Sequence, residues 1–468
     1  MFRDVRKNEE IIDKDLQPEK SFDIVKRVLK IAQRRGVLYF VDGFIKDEVY
    51  EKILEFLFKI KPEELESFKT MKDFSLDHMP YVEVEWFEDE KKAQTAVLSG
   101  VALLIIDGIE GGLGIDTRTY PVRGIKEPDK DKSLRGSRDG FVETLIFNTA
   151  MIRRRIRDTR LRMEYYQVGT GSKVDVAISY IDGSVDKKLI EKLRDKLKSI
   201  KVSGLSMTQQ ALSEVLLNTN VLNPYPRIKF TERPDFAAAC ILEGKIVLVM
   251  DNSPMVMIFP VSFFDFFKET DDYYFPAITG SYTRTLRILV SILTVFATPL
   301  FLYISNNPNV LPPWLGFLRI DEPVNIPIIA QFLILEFLID GLRLASINTP
   351  DALSSSLGIV GGLLLSEFAI SAGWFILETI LLMAFVAIAS YAQPSFEMGY
   401  AMKYERIVML IFTQIFGLWG LLGSAIFFII AKLFSKTFSG RCYLYPIVPF
   451  KLKEAIKLFV RTRIDKNH

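Results

Sequence analysis

Apolar residues change their rhythm partway along the chain. Up to Tyr274 they come in runs of strand or helix length with charges every few positions, whereas between Arg343 and Lys403 there is no Lys or Arg at all. A soluble domain needs no such gap, so the front half reads as soluble and the rear half as membrane-embedded. In the front half, residues 37–41 and 101–106 are short, rich in β-branched side chains and closed by Asp42-Gly43 and Asp107-Gly108, the punctuation of buried strands ending in tight turns. Helices fill the gaps. Residues 48–60 carry Val49, Ile53, Leu54, Phe56 and Leu57 at helical spacing, and residues 186–200 carry Leu189, Ile190, Leu193 and Leu197 likewise.

The same order of elements occurs twice. VLYFVDGFIKDEVYEKILEFL from Val37 and VDVAISYIDGSVDKKLIEKLRDKL from Val174 each read as strand, Asp-Gly turn and helix. AQTAVLSGVALLIIDGIEGGLGID from Ala93 and AAACILEGKIVLVMDNSPMVMIFP from Ala237 each read as a short helix ending at Gly, then two strands. The predicted architecture is an α/β cytoplasmic N-terminal region of two related subdomains, followed by an α-helical polytopic transmembrane domain. Its divisions are a polar helical segment 1–36, a first subdomain 37–135, a signature helix with the second subdomain 136–275, transmembrane helices 276–440 and a basic tail 441–468. The polar residues 1–20 lack the apolar core of a signal peptide, so the front region is expected to stay cytoplasmic.

The rings Phe263, Phe264, Phe266, Phe267, Tyr273, Tyr274 and Phe275, followed by Arg284 and Arg287, suit a membrane interface. Candidate spans follow at 288–304, 326–345, 353–372, 376–392 and 407–434. Lys432, Lys436, Arg441, Lys451, Lys453, Lys457, Arg461 and Arg463 make the tail basic and place it on the cytoplasmic side. Two ends on one side demand an even number of crossings, so one of the five stretches is expected to be incomplete or re-entrant.

Composition narrows the chemistry. Lys+Arg 59 against Asp+Glu 57 leaves a net charge of +2, which removes a bulk electrostatic case for nucleic acid. With two His and two Cys, and Cys240 and Cys442 in no CxxC spacing, no metal is expected and both cysteines read as isolated thiols. His78, the one interior histidine, pairs recognisably with no Ser or Cys, so no catalytic residue and no cofactor is expected. The Gly-rich GIEGGLGID at Gly108 and VGTGSK at Val168 fit hairpin turns better than phosphate loops. The run Arg153, Arg154, Arg155 and Arg157 could attract anionic headgroups, but Asp139, Glu143, Asp158 and Glu164 flank it, which favours ion pairs within the chain or between subunits on a helix starting near Asp139.

Ionisable groups in the rear half weigh more, because each is costly in hydrocarbon. Glu336, Asp340 and Arg343 share one helix, with Asp340 expected to pair with Arg343 and Glu336 deeper. In the next segment Ser356, Val360, Leu363 and Glu367 share a face beside a Gly/Ser stripe. This fits either tight packing or a water-lined path with an apolar constriction.

The block GSRDGFVETLIFNTAMIRRRIRDTRLRMEYYQVGTGSKVDVAISYIDG from Gly136, with NPYPRIKFTERPDFAAACILEGKIVLVMDNSP at Asn223 and YLYPIVPF at Tyr443, resembles the A subunits of GerA-type spore germination receptors. The opening Ser137-Arg138-Asp139-Gly140 resembles the stage V AF branch of that family more than its nutrient-receptor branch. The resemblance implies a polytopic protein of the spore inner membrane acting in germination, a homo-oligomer that conducts ions, with other germination membrane proteins as partners. Two other roles stay open: a non-conducting scaffold, or a nutrient-receptor A subunit proper.

Overall fold

Strands buried on both faces and helices buried on one explain the front of the molecule. The computed structural model describes residues 1–45, 47–81, 83–117, 135–170, 173–202, 208–217, 223–311, 313–320, 324–348 and 369–460. They divide into a front unit, Met1–Thr219 with Ile228–Pro260, and a rear unit, Asn220–Arg227 with Val261–His468. The front unit begins with α1 (Val5–Leu16), β1 (Ile24–Ile31), β2 (Arg34–Val41), α2 (Asp47–Lys59), α3 (Pro62–Glu66), α4 (Met71–His78), β3 (Val84–Phe87), α5 (Glu90–Leu98), β4 (Ala102–Ile106) and β5 (Gly112–Ile115). It continues with α6 (Leu145–Arg155), β6 (Leu161–Val168), β7 (Val174–Ile181), α7 (Lys187–Ser199), α8 (Thr208–Leu217), β8 (Lys229–Thr231), α9 (Pro234–Leu242), β9 (Ile246–Met250) and β10 (Val256–Phe259).

Two antiparallel sheets result, ordered β1-β2-β4-β5-β3 and β6-β7-β9-β10-β8, the same order once each strand is matched to its counterpart. In the first sheet Leu38 and Leu104 pack with Ile53, Leu57 and Phe74 of α2 and α4, while Val37, Tyr39, Leu103 and Ile105 pack with Ile12 and Val97 of α1 and α5. Burial on both faces is why these strands read as continuous apolar runs. The Gly-rich segment at Gly108 lies between the antiparallel partners β4 and β5, as the sequence suggests, and Val168 ends β6, which pairs antiparallel with β7.

The likeness of the halves extends to single hydrogen bonds. Asn8 closes a ring with the backbone of Phe2 (2.7 and 2.6 Å), as Asn148 does with Val142 (2.8 and 2.5 Å). The first helical amides, Val5 and Leu145, donate to Asp107 and Asp251 at the ends of β4 and β9 (3.2 and 2.9 Å). Segment 1–36 is not only polar and helical, because it supplies β1. Its hairpin to β2 turns on Ala32 and Gln33, both at positive φ (46° and 69°), without the Asn or Gly that announces such a turn.

The rear unit contains α10 (Asp271–Tyr274), α11 (Ala277–Asn306), α12 (Ile328–Asn348), α13 (Leu377–Tyr391), α14 (Phe396–Phe416), α15 (Leu418–Phe434) and α16 (Leu452–Phe459). Among the described residues one helix, α11, is long and apolar enough to cross a membrane, with a mean hydropathy of 2.1, and α13 and α15 are shorter apolar helices. The fifth candidate stretch, 407–434, is two helices and not one. Gly417 (φ +58°, ψ −132°) breaks it, and α15 folds back along α14, so closely that a Cβ on Gly420 would lie 1.9 Å from the Phe412 carbonyl oxygen. Phe263, Phe264, Phe266 and Phe267 are buried around Tyr443, so these four rings are core of the rear unit and not an interfacial belt.

Candidate functional site

In the rear unit, charges that would be costly alone are gathered between α12 and α14. Glu336, 4% exposed, accepts from Arg406 Nε at 2.5 Å and lies 3.3 Å from Lys403 Nζ. Arg406 also donates to the Thr294 carbonyl of α11 (3.2 Å). Asp340 is held by Lys403 of the facing helix, in place of the expected pairing with Arg343 on its own helix. Arg343 donates to Ser390 Oγ (3.1 Å) and lies over the rings of Tyr391, Phe396 and Tyr400. A second buried pair, Glu405 with Lys432, joins α14 to α15 at 2.8 Å. Such pairs are tolerated because each buried charge keeps a partner and further hydrogen bonds.

The contacts fix helix directions. Arg406 with Thr294 and Gln414 with Asn306 make α11 and α14 parallel. Glu336 with Arg406 and Asp340 with Lys403 make α12 antiparallel to α14. Gln331 accepts from Ile376 N (3.0 Å) and Thr379 Oγ1 (2.8 Å), and Arg343 meets Ser390, so α12 and α13 are parallel. A cleft of about 80 Å³ opens beside the network, lined among others by Glu336, Asp340, Arg343, Ser390, Lys403 and Arg406. Along the same bundle the buried hydroxyls of Ser291, Thr298 and Thr413 have no hydrogen-bond partner among the described residues.

Of the residues singled out in the sequence, Glu336 is in this network, while Ser356, Val360, Leu363 and Glu367 lie outside the described residues. Lys403, Glu405 and Arg406 are not singled out in the sequence, and Lys432 appears there only among the basic residues of the tail. Their signal is the matched spacing of Glu336 and Asp340 on one helix with Lys403 and Arg406 on another.

The arginine run divides. Its helix starts at Leu145, and Asp139 precedes it. Arg153 is fully buried, bidentate to Asp23 (2.8 and 3.2 Å) and bonded to the Leu161 carbonyl (3.2 Å), so it ties the two halves of the front unit together. Arg155 grips Asp139 at 2.6 Å; burial pushes that carboxyl up, but Arg155 and Ser137 pull it further down, leaving its pKa below the usual value. Arg154 and Arg157 are exposed.

Glu164 on β6 holds α7 to the second sheet, accepting from Arg194 Nε (2.8 Å), Tyr180 (2.6 Å) and Tyr166 (2.8 Å). Burial raises its pKa and these donors lower it more, so the folded value lies below the ordinary glutamate value. Its stabilisation is therefore complete above the unfolded pKa, about 4.3, and is lost as pH falls through the folded pKa. Acidification from about pH 6 to about pH 3 should lower the denaturant midpoint of the front unit more in the wild type than in Arg194→Gln. Equal slopes would refute this.

A duplicated α/β unit joined to an apolar helical bundle with internally paired charges defines the class of protein. The family model for the Bacillus/Clostridium GerA spore germination protein matches residues 10–468, and the chain belongs to that family. It is 33% identical over 462 residues to stage V sporulation protein AF of Bacillus subtilis (strain 168), covering 99% of this chain and 93% of that protein. It is 28% identical over 437 residues to spore germination protein KA of the same strain, covering 92% and 79%. The crystal structure of the N-terminal domain of the A subunit of the Bacillus megaterium spore germinant receptor GerK3 aligns with 26% identity over 56% of this chain and 96% of that one, with a TM-score of 0.43.

Proposed function

We propose that the protein acts in spore germination as an ion-conducting component of an oligomer in the spore inner membrane, not as an enzyme, in company with other germination membrane proteins. The observation that carries this reading is the polar interior of the bundle: paired charges between α12 and α14, and the partnerless hydroxyls of Ser291, Thr298 and Thr413. In a membrane such groups face protein or a water-lined path. Parity supports it too. Because α11 is parallel to α14 and α15 folds back along α14, the start of α11 and the end of α15 lie on one side, as two ends on one side require. Arg284, Arg287, Lys432 and Lys436 lie toward that side, which supports its assignment as cytoplasmic.

Glu336 is neutralised by Arg406 and Lys403, which removes it as a free acid in the path and favours residues 353–372 as the pore-lining segment. Val360→Ala is expected to ease wetting and raise cation leak in liposomes, and Glu367→Gln to lower cation selectivity. If the segment only packs, Val360→Ala should cost about 0.5–2 kcal/mol of stability and leave flux alone. Stability falling while flux and selectivity keep wild-type values would sink the pore assignment. The result would then favour a scaffold, or a nutrient-receptor A subunit whose path lies elsewhere. Arg154 and Arg157 are the exposed members of the run through which we propose subunit contact.

A further inference from the structure

The end of the described chain presents an apolar face to solvent. On α16, Leu452, Ile456 and Phe459 recur at i, i+4 and i+7 and are exposed (61%, 47% and 38%), while Leu458 is buried and turns inward where α16 packs on α11. Phe450, 67% exposed, extends the apolar surface in front of the helix. Lys453, exposed, follows Leu452 by about 100° around the helix and so flanks the apolar face on the side away from Leu458.

The helix is held rigidly. Tyr443 is fully buried and donates to the Pro226 carbonyl (2.6 Å), and the Lys451 amide donates to the Pro446 carbonyl (3.0 Å). Tyr445 donates to Glu454, and Lys451 lies 3.8 Å from the same carboxylate, so the one acid of residues 441–460 is engaged internally. Against it stand Arg441, Lys451, Lys453 and Lys457.

We propose that α16 is a membrane-surface helix whose apolar face enters the headgroup–acyl boundary of an anionic lipid leaflet. An aliphatic and aromatic stripe, flanked by lysine and held against a bundle helix by its third face, has the division of faces that an interfacial helix needs. The surplus of positive charge selects an anionic surface over a second copy of this equally basic segment. The inference rests on the membrane reading given above.

The test uses the full chain in vesicles of phosphatidylcholine with or without phosphatidylglycerol. An environment-sensitive fluorophore is placed at Ile456→Cys in a Cys442→Ser background, Cys240 being buried. A label at Leu293→Cys, on the exposed side of α11, reports whether that helix spans. Shallow spin-labelled lipid should quench the 456 label, more strongly with phosphatidylglycerol present. The triple variant Lys451→Gln, Lys453→Gln, Lys457→Gln should reduce that quenching roughly twofold or more. Quenching at 293 without quenching at 456 overturns the surface helix alone. A blue-shifted but unquenched 456 label means that protein covers the face, and overturns it as well. No quenching at either site overturns the membrane reading and this inference together.

Discussion

Arg153→Met should destabilise the front unit by about 3–5 kcal/mol, the cost of leaving a buried carboxylate without its cation. Asp23 is 1% exposed and its partner 0% exposed, so water cannot replace the lost guanidinium. The same change strips a donor from the Leu161 carbonyl, where the second sheet begins. Arg154→Met, one residue along on an exposed position, should change stability by no more than about 0.5 kcal/mol. Removing both charges with Asp23→Asn and Arg153→Met should recover part of the loss. Calorimetric melting of the intact protein measures all three, and equal melting temperatures for the Arg153 and Arg154 variants would exclude the pairing as a structural tie.

Glu336→Leu is the second change with a large expected effect. The cluster of Glu336, Asp340, Lys403 and Arg406 balances, two acids against two bases, and losing Glu336 leaves one buried cation in excess. A loss of about 3–5 kcal/mol is expected, whereas Glu336→Leu with Arg406→Leu restores balance and should cost markedly less than either single change. Unfolding in detergent, arranged as a double-mutant cycle, reads the coupling. Additive losses would mean that the two side chains act independently.

The duplication was legible because both halves keep the same local grammar of strand, Asp-Gly turn and helix at matching intervals. Its hydrogen-bonded rings around Asn8 and Asn148 were not, since an asparagine inside a helix gives no hint that it reaches back six residues. β1 was missed because Ala32 and Gln33 adopt positive φ under tertiary constraint and not from their own preference. The arginine run announced ion pairing, but Asp23 lies 130 residues away, beyond any periodicity. In the rear half, summed hydropathy sees apolar length and is blind to the backbone angle at Gly417, so one stretch concealed a hairpin. The same summation placed Lys403 and Arg406 outside every span and so parted Glu336 and Asp340 from their partners. Ser356, Val360, Leu363 and Glu367 share one face of a helical pattern in the sequence and lie outside the described residues.

The hairpin at Gly417 has mechanical consequences. Where the Phe412 carbonyl rests against Gly420 no side chain intervenes, so α14 and α15 cannot slide past one another without separating their backbones. The opposite flank of α14 is a different kind of joint. There Lys403 already touches both Glu336 and Asp340, which stand one helical turn apart on α12, and it can pass from one to the other as the helices shift. Arg406 has no such second partner, since of these two acids it meets only Glu336, so a step of one turn, about 5.4 Å, would strand a charge. The bundle sets a stiff lever, α14 with α15, beside a rail that Lys403 alone would let move by a notch and that Arg406 pins in one register.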